Sequence, residues 1–167
     1  SAGIGFVTEE RKRNGYVWML SIKDNMFLAS LKELPTRFKI FVDARRERAK
    51  AVEVFERLRV KAPSVDTMVN NLSGGNQQKV VLAKWLVKNP KILFVDEPTK
   101  GVDVGAKAEI YKLLGELAEN GISIVMVSSD MPELVSVSDR VLVIGSGKIT
   151  GEFEKEEISE EAIMAAA

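Results

Sequence analysis

The sequence predicts an α/β fold in which a parallel core sheet is accompanied by a helical subdomain. After Pro90, two runs of apolar strand formers, at 92–95 and 122–127, flank a helical segment at about 105–119. Such β-α-β crossovers are right-handed and place their two strands in parallel. Between about residues 20 and 90, in contrast, the spacing of apolar residues is helical.

The composition limits the chemistry that this chain can perform. Its 167 residues suit a single domain. The 24 basic and 24 acidic residues cancel, so no global field selects nucleic acid or an anionic membrane as a partner. Cysteine and histidine are absent, which excludes disulfides, thiolate nucleophiles, Cys/His zinc sites and histidine bases. Carboxylates and backbone groups must therefore carry any chemistry.

Membrane spans and export signals are not predicted. The longest apolar runs, such as 122–127, fall far short of the roughly 20 residues that a spanning helix requires. The chain does not open on a basic and then apolar export signal. A soluble intracellular location is therefore expected.

The first elements are a short strand and two helices. Residues 3–7 read as a strand and residues 8–15 as a charged loop. A first helix is expected over 22–28, and a second over 42–60 with Asp43 as its N-cap.

The second helix is predicted to be amphipathic, in a region that Pro35 and Pro63 punctuate. Its packing face consists of Ala44, Ala51, Phe55 and Leu58. Basic residues fill much of its remaining surface, namely Arg45, Arg46, Arg48, Lys50, Arg57 and Arg59. They could form a polyanion site, but a solvated face is favoured because nearby glutamates offset their charge.

Polar residues follow both strands of the β-α-β unit. Asp96 and Glu97 come after the first strand, and residues 128–130 come after the second. Both sets emerge at the same sheet edge, where open α/β sheets bind ligands. Farther on, 140–144 and 149–153 predict a hairpin, and a short helix begins at Ser159.

Ser73, Gly74 and Gly75 immediately precede a helix that contains Val81 and Leu86. Backbone N–H groups at a helix N-terminus favour a bound anion, and glycines let a phosphate approach closely. The alternative is an ordinary N-cap, in which Ser73 caps the helix and the glycines make a turn.

Asp96 and Glu97 are two adjacent acids at the end of a buried strand, a costly arrangement unless they have a role. One carboxylate can hold a magnesium ion, usually through water, and its neighbour can orient or deprotonate an attacking water. Capping of the following turn is the alternative for each acid taken alone.

These strings resemble motifs of the ATP-binding cassette family. Leu-Ser-Gly-Gly-Asn-Gln-Gln, at 72–78, resembles its signature loop, and 92–99 resembles its Walker B motif. The resemblance implies nucleotide contacts for Ser73, Gly74, Gly75, Asn76 and Asp103. It makes Asp96 the magnesium-side acid and Glu97 the catalytic acid.

Two positions depart from the family pattern. Ser129 stands where most members carry a histidine that contacts the γ-phosphate, and we expect it to donate one hydrogen bond there without a positive charge. A polar strand end is the alternative for Ser129. Glu9 stands where members usually carry a glutamine that senses magnesium and touches the membrane subunit, which puts the magnesium-sensing role in doubt. A surface-loop acid is the alternative for Glu9.

A phosphate loop of the form G-x-x-x-x-G-K-[ST] is missing from this sequence. Gly145-Ser146-Gly147-Lys148 imitates its end, but Ile149 replaces the magnesium-binding hydroxyl and strands flank the segment, so a turn is predicted. The implied fold is a partial P-loop NTPase fold without the phosphate-loop portion.

From about residue 5 to 164, the chain resembles the second cassette of double-cassette ATPases in bacterial sugar importers of the ribose, galactose and xylose type. The implied domain is a partial nucleotide-binding domain over 1–167, with a helical subdomain at about 20–90 and an α/β core at 1–15 and 91–167. The implied activity is ATP hydrolysis, with ATP and Mg²⁺, that energises monosaccharide import. This chain would donate a signature loop to a composite site and would be inactive alone.

The resemblance also implies partners and a location. The partners are the first cassette of the same polypeptide, transmembrane permease subunits and, indirectly, a periplasmic sugar-binding protein, with no nucleic acid. The location is peripheral, on the cytoplasmic face of the membrane. Two alternatives remain: a DNA-repair ATPase lobe, disfavoured because sustained heptads are lacking, and an inert module that only docks a membrane subunit.

Overall fold

The structure, a computed structural model, describes residues 3–29 and 44–167. It divides into two compact units, Ser1–Val127 and Ser128–Ala167. All of the predicted sheet and helical region before residue 128 belongs to the first unit, and the predicted hairpin belongs to the second.

The first unit contains a parallel sheet of three strands in the order β1 (Ile4–Val7), β2 (Ile92–Asp96) and β3 (Ser123–Val127). Each neighbouring pair is parallel. The helix α4 (Val104–Glu119) connects β2 to β3, so the predicted β-α-β unit is confirmed.

In the described part of the chain before β2, the α-helices are α1 (Ile22–Phe27), α2 (Ala44–Arg57) and α3 (Gly74–Leu86). The Ser21 hydroxyl caps α1 by accepting a hydrogen bond from the backbone N–H of Asp24 at 3.1 Å. α3 is the central helix because it contacts α1, α2, α4 and β1. Its position explains why so many of its residues are buried.

One continuous hydrophobic core joins these helices to one face of the sheet. The following residues are its fully buried members: Val7, Ile22, Met26, Ala51, Leu58, Val69, Val80, Val81, Leu82, Ala83, Leu93 and Ile110. Buried residues alternate with exposed or half-buried ones along β1 and β2, so only one face of those strands contributes to the core.

The second helix matches its prediction in type but is shorter than the predicted span of 42–60. It ends at Arg57, and Arg59 adopts a φ of +50°, which cannot continue a helix. Ala51 and Leu58 are buried as predicted, whereas the arginines are exposed, and Arg48 pairs with Asp66 at 2.6 Å. Pro35 and the expected N-cap Asp43 lie outside the described residues.

The predicted charged loop at 8–15 is wrong in part. Arg11–Gly15 forms a short π-helical turn in which Arg11 and Gly15 are buried. This turn packs against α3, and a Cβ atom added at Gly15 would lie 3.0 Å from the Val81 side chain. Close packing against a helix has therefore ordered a segment whose charge indicated a loop.

The second unit contains α5 (Met131–Val137), the antiparallel hairpin β4 (Arg140–Gly145) and β5 (Lys148–Glu154), and α6 (Glu160–Ala166). Its small core consists of Val141, Val143 and Ile163, with Met131, Leu134 and Phe153 packed against them. The two-residue connection Ser146-Gly147 has positive φ at both positions, as hairpin turns require. The predicted turn at 145–148 is thus confirmed.

Among the residues that the structure describes, no helix is both long and apolar enough to cross a membrane. The division into a helical subdomain at about 20–90 and an α/β core at 1–15 and 91–167 stays a prediction.

Candidate functional site

Ser73 occupies the N-cap position of α3 but does not cap it with its side chain. Its backbone is extended, with φ −63° and ψ 159°, and α3 begins at Gly74. The hydroxyl instead accepts a hydrogen bond from Nδ2 of Asn76 at 2.9 Å. Ser73 is exposed and Gly74 is half-buried, whereas Gly75 is buried, so the start of α3 is accessible at Ser73 and Gly74.

Asn76 connects this loop to the segment that follows α2. Its Oδ1 accepts a hydrogen bond from the backbone N–H of Lys61 at 2.8 Å, while its Nδ2 donates to Ser73. Because a backbone N–H is only a donor, the amide orientation of Asn76 is fixed. Both amide atoms are therefore already used within the protein.

The two glycines that follow Ser73 are closely approached by other chain segments. A Cβ atom at Gly75 would lie 2.5 Å from the Cβ of Ala106, so no side chain fits there without a shift. A Cβ atom at Gly74 would lie 3.1 Å from the carbonyl oxygen of Gly101 and 3.2 Å from Nη2 of Arg11. These glycines thus have a packing role in addition to the nucleotide contact that the sequence predicts.

Asp96 and Glu97 lie where predicted, at the carboxyl end of β2, and both are half-buried. The backbone N–H of Glu97 donates to the carbonyl of Val127 at 2.9 Å. Glu97 has a φ of +47°, a left-handed conformation that costs about 1 kcal/mol or more for a residue with a Cβ. The chain turns sharply at Glu97, directly after the strand.

Asp103 ends the loop that follows the acidic pair and caps the next helix. Its Oδ1 accepts a hydrogen bond from the backbone N–H of Ala106 at 2.9 Å. Asp103 is exposed, so this cap does not enclose its carboxylate. The structure therefore gives Asp103 a local role beside its predicted nucleotide contact.

Glu9, on the loop after β1, forms an ion pair with Lys100. The hydrogen bond and the charge of Glu9 raise the pKa of Lys100, with smaller contributions from Glu97 and Asp96. Lys100 therefore joins Glu9 to the acidic pair through its positive charge. No sequence pattern predicts the ion pair of Lys100, whose one distinguishing feature is its place directly after the Walker B-like string.

A buried lysine links α3 to α4. Nζ of Lys79 donates to the carbonyl of Arg59 at 3.0 Å and to Glu109 at 2.8 Å, and Lys61 donates to the other Glu109 oxygen at 2.7 Å. The hydrogen bonds from Lys61 and then Lys79 lower the pKa of Glu109 to about 2. This carboxylate, on α4, consequently stays ionised at neutral pH and holds Lys79, in the middle of α3, by an ion pair.

Ser129 belongs to the second unit, where hydrogen bonds join its neighbours Ser128, Asp130 and Glu133. The Ser128 hydroxyl donates to the buried carboxylate of Glu133 and accepts from the backbone N–H of Asp130 at 3.0 Å. Asp130 in turn accepts from the backbone N–H of Glu133 at 3.2 Å. Ser129 itself is exposed at the end of β3.

The donor set suits a nucleotide with magnesium. Within the described residues, no group of three or more acids could hold a metal ion alone. Magnesium in nucleotide sites is typically bound by one or two carboxylates together with substrate phosphates, so Asp96 could provide one protein ligand, usually through water. The exposed N-terminus of α3 suits a phosphate.

Comparisons with known proteins identify related sequences. Residues 2–100 match the family described as ABC transporter. The chain is 48% identical, over 99% of its length, to the xylose import ATP-binding protein XylG of Geobacillus kaustophilus. It is 45% identical, over 97% of its length, to the ribose import ATP-binding protein RbsA of Clostridium perfringens. The chain covers 32% of each relative, which is about a third of their length.

A solved structure shows the same fold. The dimeric structure of a post-hydrolysis state of the ATP-binding cassette MJ0796, bound to ADP and Pi, superposes with a TM-score of 0.74 and 25% sequence identity. The match covers 91% of this chain and 62% of that one. The predicted α/β fold with a parallel sheet and helices is thereby confirmed.

Proposed function

Because this chain belongs to the ABC transporter family, we propose that it is part of the ATP-hydrolysing subunit of a monosaccharide importer. In this proposal, it forms about a third of a longer polypeptide, here called the full-length ATPase, whose first cassette is its partner. The names of the xylose and ribose import relatives support sugar import, and the chain's coverage of about a third of their length supports a longer polypeptide.

The observation that carries the proposal is the exposed N-terminus of α3. The first backbone N–H groups of a helix lack intrahelical acceptors and bear partial positive charge, so they attract phosphate. Ser73 adds an exposed hydroxyl at the same point, and Gly74, which is half-buried, has no side chain that could cover it. The signature loop comprises residues 72–78.

In the proposed mechanism, the signature loop closes over the γ-phosphate of ATP that the first cassette holds. Ser73 donates its hydroxyl hydrogen, since its oxygen already accepts from Asn76. Donors that are fixed before the reaction stabilise charge that develops in the transition state. The MJ0796 cassette, which is a dimer bound to ADP and Pi, supports a paired arrangement.

Asp96 and Glu97 serve the other composite site, whose phosphate loop lies outside this chain. Magnesium, when bound there, would neutralise phosphate charge, and Asp96 would hold it, usually through water. Glu97 would orient and deprotonate the attacking water. The left-handed turn at Glu97 sets its carboxylate apart from the strand that carries Asp96.

Three further residues have proposed roles at the two composite sites or at the permease. Ser129 would donate one hydrogen bond to the γ-phosphate in the place of a histidine. Asp103 would contact the nucleotide across the paired cassettes while capping α4. Glu9 would face the permease but, because it is paired with Lys100, would not act as a magnesium sensor.

The proposed partners follow from the same relatives. They are transmembrane permease subunits and, indirectly, a periplasmic sugar-binding protein. The ATPase would lie peripherally on the cytoplasmic face of the membrane, with no nucleic-acid ligand. Residues 1–167 alone would hydrolyse ATP negligibly, because neither composite site would be complete.

The test introduces Ser73→Arg or Gly74→Asp into the full-length ATPase, reconstituted with its permease. Ser73→Arg places a long side chain where phosphate should bind, and Gly74→Asp adds a negative charge there. We expect ATP-driven sugar uptake and ATPase turnover to fall by about a hundredfold or more, as when a fixed transition-state donor is lost.

Gly115→Asp is the matched control, since Gly115 lies in α4 with open space around its Cα. This variant should retain turnover. Normal uptake by both signature-loop variants would refute the proposal and favour an inert docking module.

A further inference from the structure

Arg11 is a buried arginine whose guanidinium is bound to backbone oxygens. Its exposed fraction is 9%, whereas the Arg13 side chain in the same turn is 81% exposed. The guanidinium donates from Nη1 to the carbonyl of Lys100 and from Nη2 to the carbonyl of Gly101 at 2.8 Å. Two consecutive carbonyls are thus bound by the fork of a single side chain, a geometry specific to arginine.

The same guanidinium also lies close to the signature loop. A Cβ atom at Gly74 would lie 3.2 Å from Nη2 of Arg11, and one at Gly101 would lie 3.4 Å from it. Arg11 therefore lies between the first residue of α3 and the loop that follows the acidic pair. Because Gly101 has a φ of +65°, that loop turns sharply where Arg11 binds it.

Burying this charge is costly. Removing a guanidinium from water is unfavourable, and Nε of Arg11 is buried without a hydrogen-bond partner. Core packing alone would be served better by an apolar side chain. What arginine adds here is a fixed distance between two loops whose residues Ser73 and Glu97, under the proposed function, serve different ATP sites.

We propose that Arg11 is a positioning residue that holds the signature loop against the loop 97–103. This inference rests on the proposed function, since it concerns how that signature loop is presented to ATP. The loop 97–103 has hydrogen bonds of its own, from Lys100 N–H to the carbonyl of Glu97 and from Val102 N–H to the carbonyl of Thr99. The signature loop is also bonded internally, since Asn76 donates to Ser73. Arg11 therefore sets the distance between two loops that are each ordered by their own hydrogen bonds.

The experiment measures the two composite sites of the full-length ATPase separately. In a Glu97→Gln background, the remaining turnover comes from the site that this signature loop closes. In the second background, the matching glutamate of the first cassette is replaced, so the remaining turnover depends on Glu97. Arg11→Met, Arg11→Lys and Arg13→Met are compared in both backgrounds.

In the Glu97→Gln background, we expect Arg11→Met to lower kcat at least about tenfold, because displacing a positioning group by about 1 Å has effects of this order or larger. The dissociation constant for ATP in the absence of turnover should change less than about twofold, since the first cassette's phosphate loop binds it. In the second background the loss should be several-fold smaller. Arg11→Lys keeps the charge and reaches one carbonyl, so it should restore part of kcat.

The control Arg13→Met removes an exposed arginine from the same turn and should change neither background. Thermal unfolding of each variant reports the folded fraction, so kcat is referred to folded protein. Equal losses in both backgrounds would overturn the inference, since they would indicate a general structural role. Unchanged kcat in the Glu97→Gln background would overturn it as well.

Gly74→Asp, measured in the Glu97→Gln background, separates this inference from the proposed function. If Gly74→Asp abolishes turnover and Arg11→Met does not, only the positioning role is refuted. If neither variant lowers turnover, the proposed function itself fails.

Discussion

At the scale of single residues, the hydroxyl of Ser73 depends on the amide of Asn76. The backbone N–H of Lys61 fixes Oδ1 of Asn76 as an acceptor, so Nδ2 must donate to Ser73. An oxygen that already accepts this bond keeps its own hydrogen for another acceptor. In the proposed mechanism that acceptor is the γ-phosphate.

Replacing Asn76 with aspartate should reverse this arrangement. The carboxylate still accepts from Lys61, but it can only accept from Ser73, whose hydrogen is then turned away from the phosphate. We expect kcat at the site closed by this signature loop to fall by about tenfold to a hundredfold, measured in the full-length ATPase with Glu97→Gln.

Asn71→Asp is the control for the added charge, since Asn71 is exposed and lies shortly before the signature loop. It should leave kcat within about twofold of the parent. Equal losses from Asn76→Asp and Asn71→Asp would mean that charge, and not the direction of the Ser73 hydrogen, causes the effect.

The residues that sequence reasoning missed are charged groups whose burial depends on distant segments. Arg11 is preceded and followed by other charged residues, and nothing in that run distinguishes it from Lys12 or Arg13, which are exposed. Lys79 likewise reads as an ordinary charge on a helix, yet it is buried against Glu109 and the carbonyl of Arg59. Their partners lie far away in the chain, so the local pattern carries no signal.

At the scale of elements, periodicity predicted most strands and helices within a few residues of their ends. β2, α4, β3 and the hairpin β4–β5 followed from alternating or helical apolar spacing and from turn residues. The π-helical turn at Arg11–Gly15 did not, because its stability comes from packing against α3 and from the bonds of Arg11. The acids at the end of β2 lie where the strand pattern put them, but their roles stay predictions.

The contact between α3 and α4 depends on the absence of a side chain at Gly75. A methyl group there would lie 2.5 Å from the Cβ of Ala106, far inside van der Waals contact. Both contacting atoms belong to the first turns of their helices, so neither can move without shifting its helix. The signature glycine is thus also a point at which the two helices approach closely.

We expect Gly75→Ala to destabilise residues 1–167 by about 1–3 kcal/mol, the usual cost of overpacking. The double variant Gly75→Ala with Ala106→Gly removes the clash and should recover part of that loss. Urea unfolding followed by circular dichroism measures both effects.

Gly115→Ala is the control, because it makes the same substitution in α4 where no atom lies within 4 Å. It should stabilise the chain by up to about 1 kcal/mol through helix propensity alone. Destabilisation by Gly75→Ala that Ala106→Gly fails to relieve would show that the close approach is not its cause.

At the scale of the whole molecule, one face of the parallel sheet carries exposed apolar side chains within the described residues. Large apolar side chains are exposed on it, with exposed fractions of 49% for Ile4, 51% for Phe6, 38% for Phe94, 42% for Val125 and 57% for Val127. The strand register places Phe6 beside Phe94 and Phe94 beside Val125, so these side chains form one patch. Parallel sheets are usually covered on both faces, and exposed patches of this kind promote association.

Polar substitutions on this face should therefore reduce self-association of the isolated residues 1–167 and reduce the stability of the full-length ATPase. In residues 1–167 alone, Phe6→Thr with Val127→Thr should reduce self-association, measured by sedimentation velocity at several concentrations, and should change the unfolding midpoint little. Threonine keeps the strand propensity, so the sheet itself is preserved.

In the full-length ATPase of the proposed function, the same variant should lower stability by about 1–3 kcal/mol, because the face would there be covered by other parts of the polypeptide. Met164→Ser removes a comparably exposed apolar side chain from α6 and should do neither. If residues 1–167 still self-associate after the double substitution, this face is not their association surface. If the stability of the full-length ATPase does not change, the face is not buried in that protein.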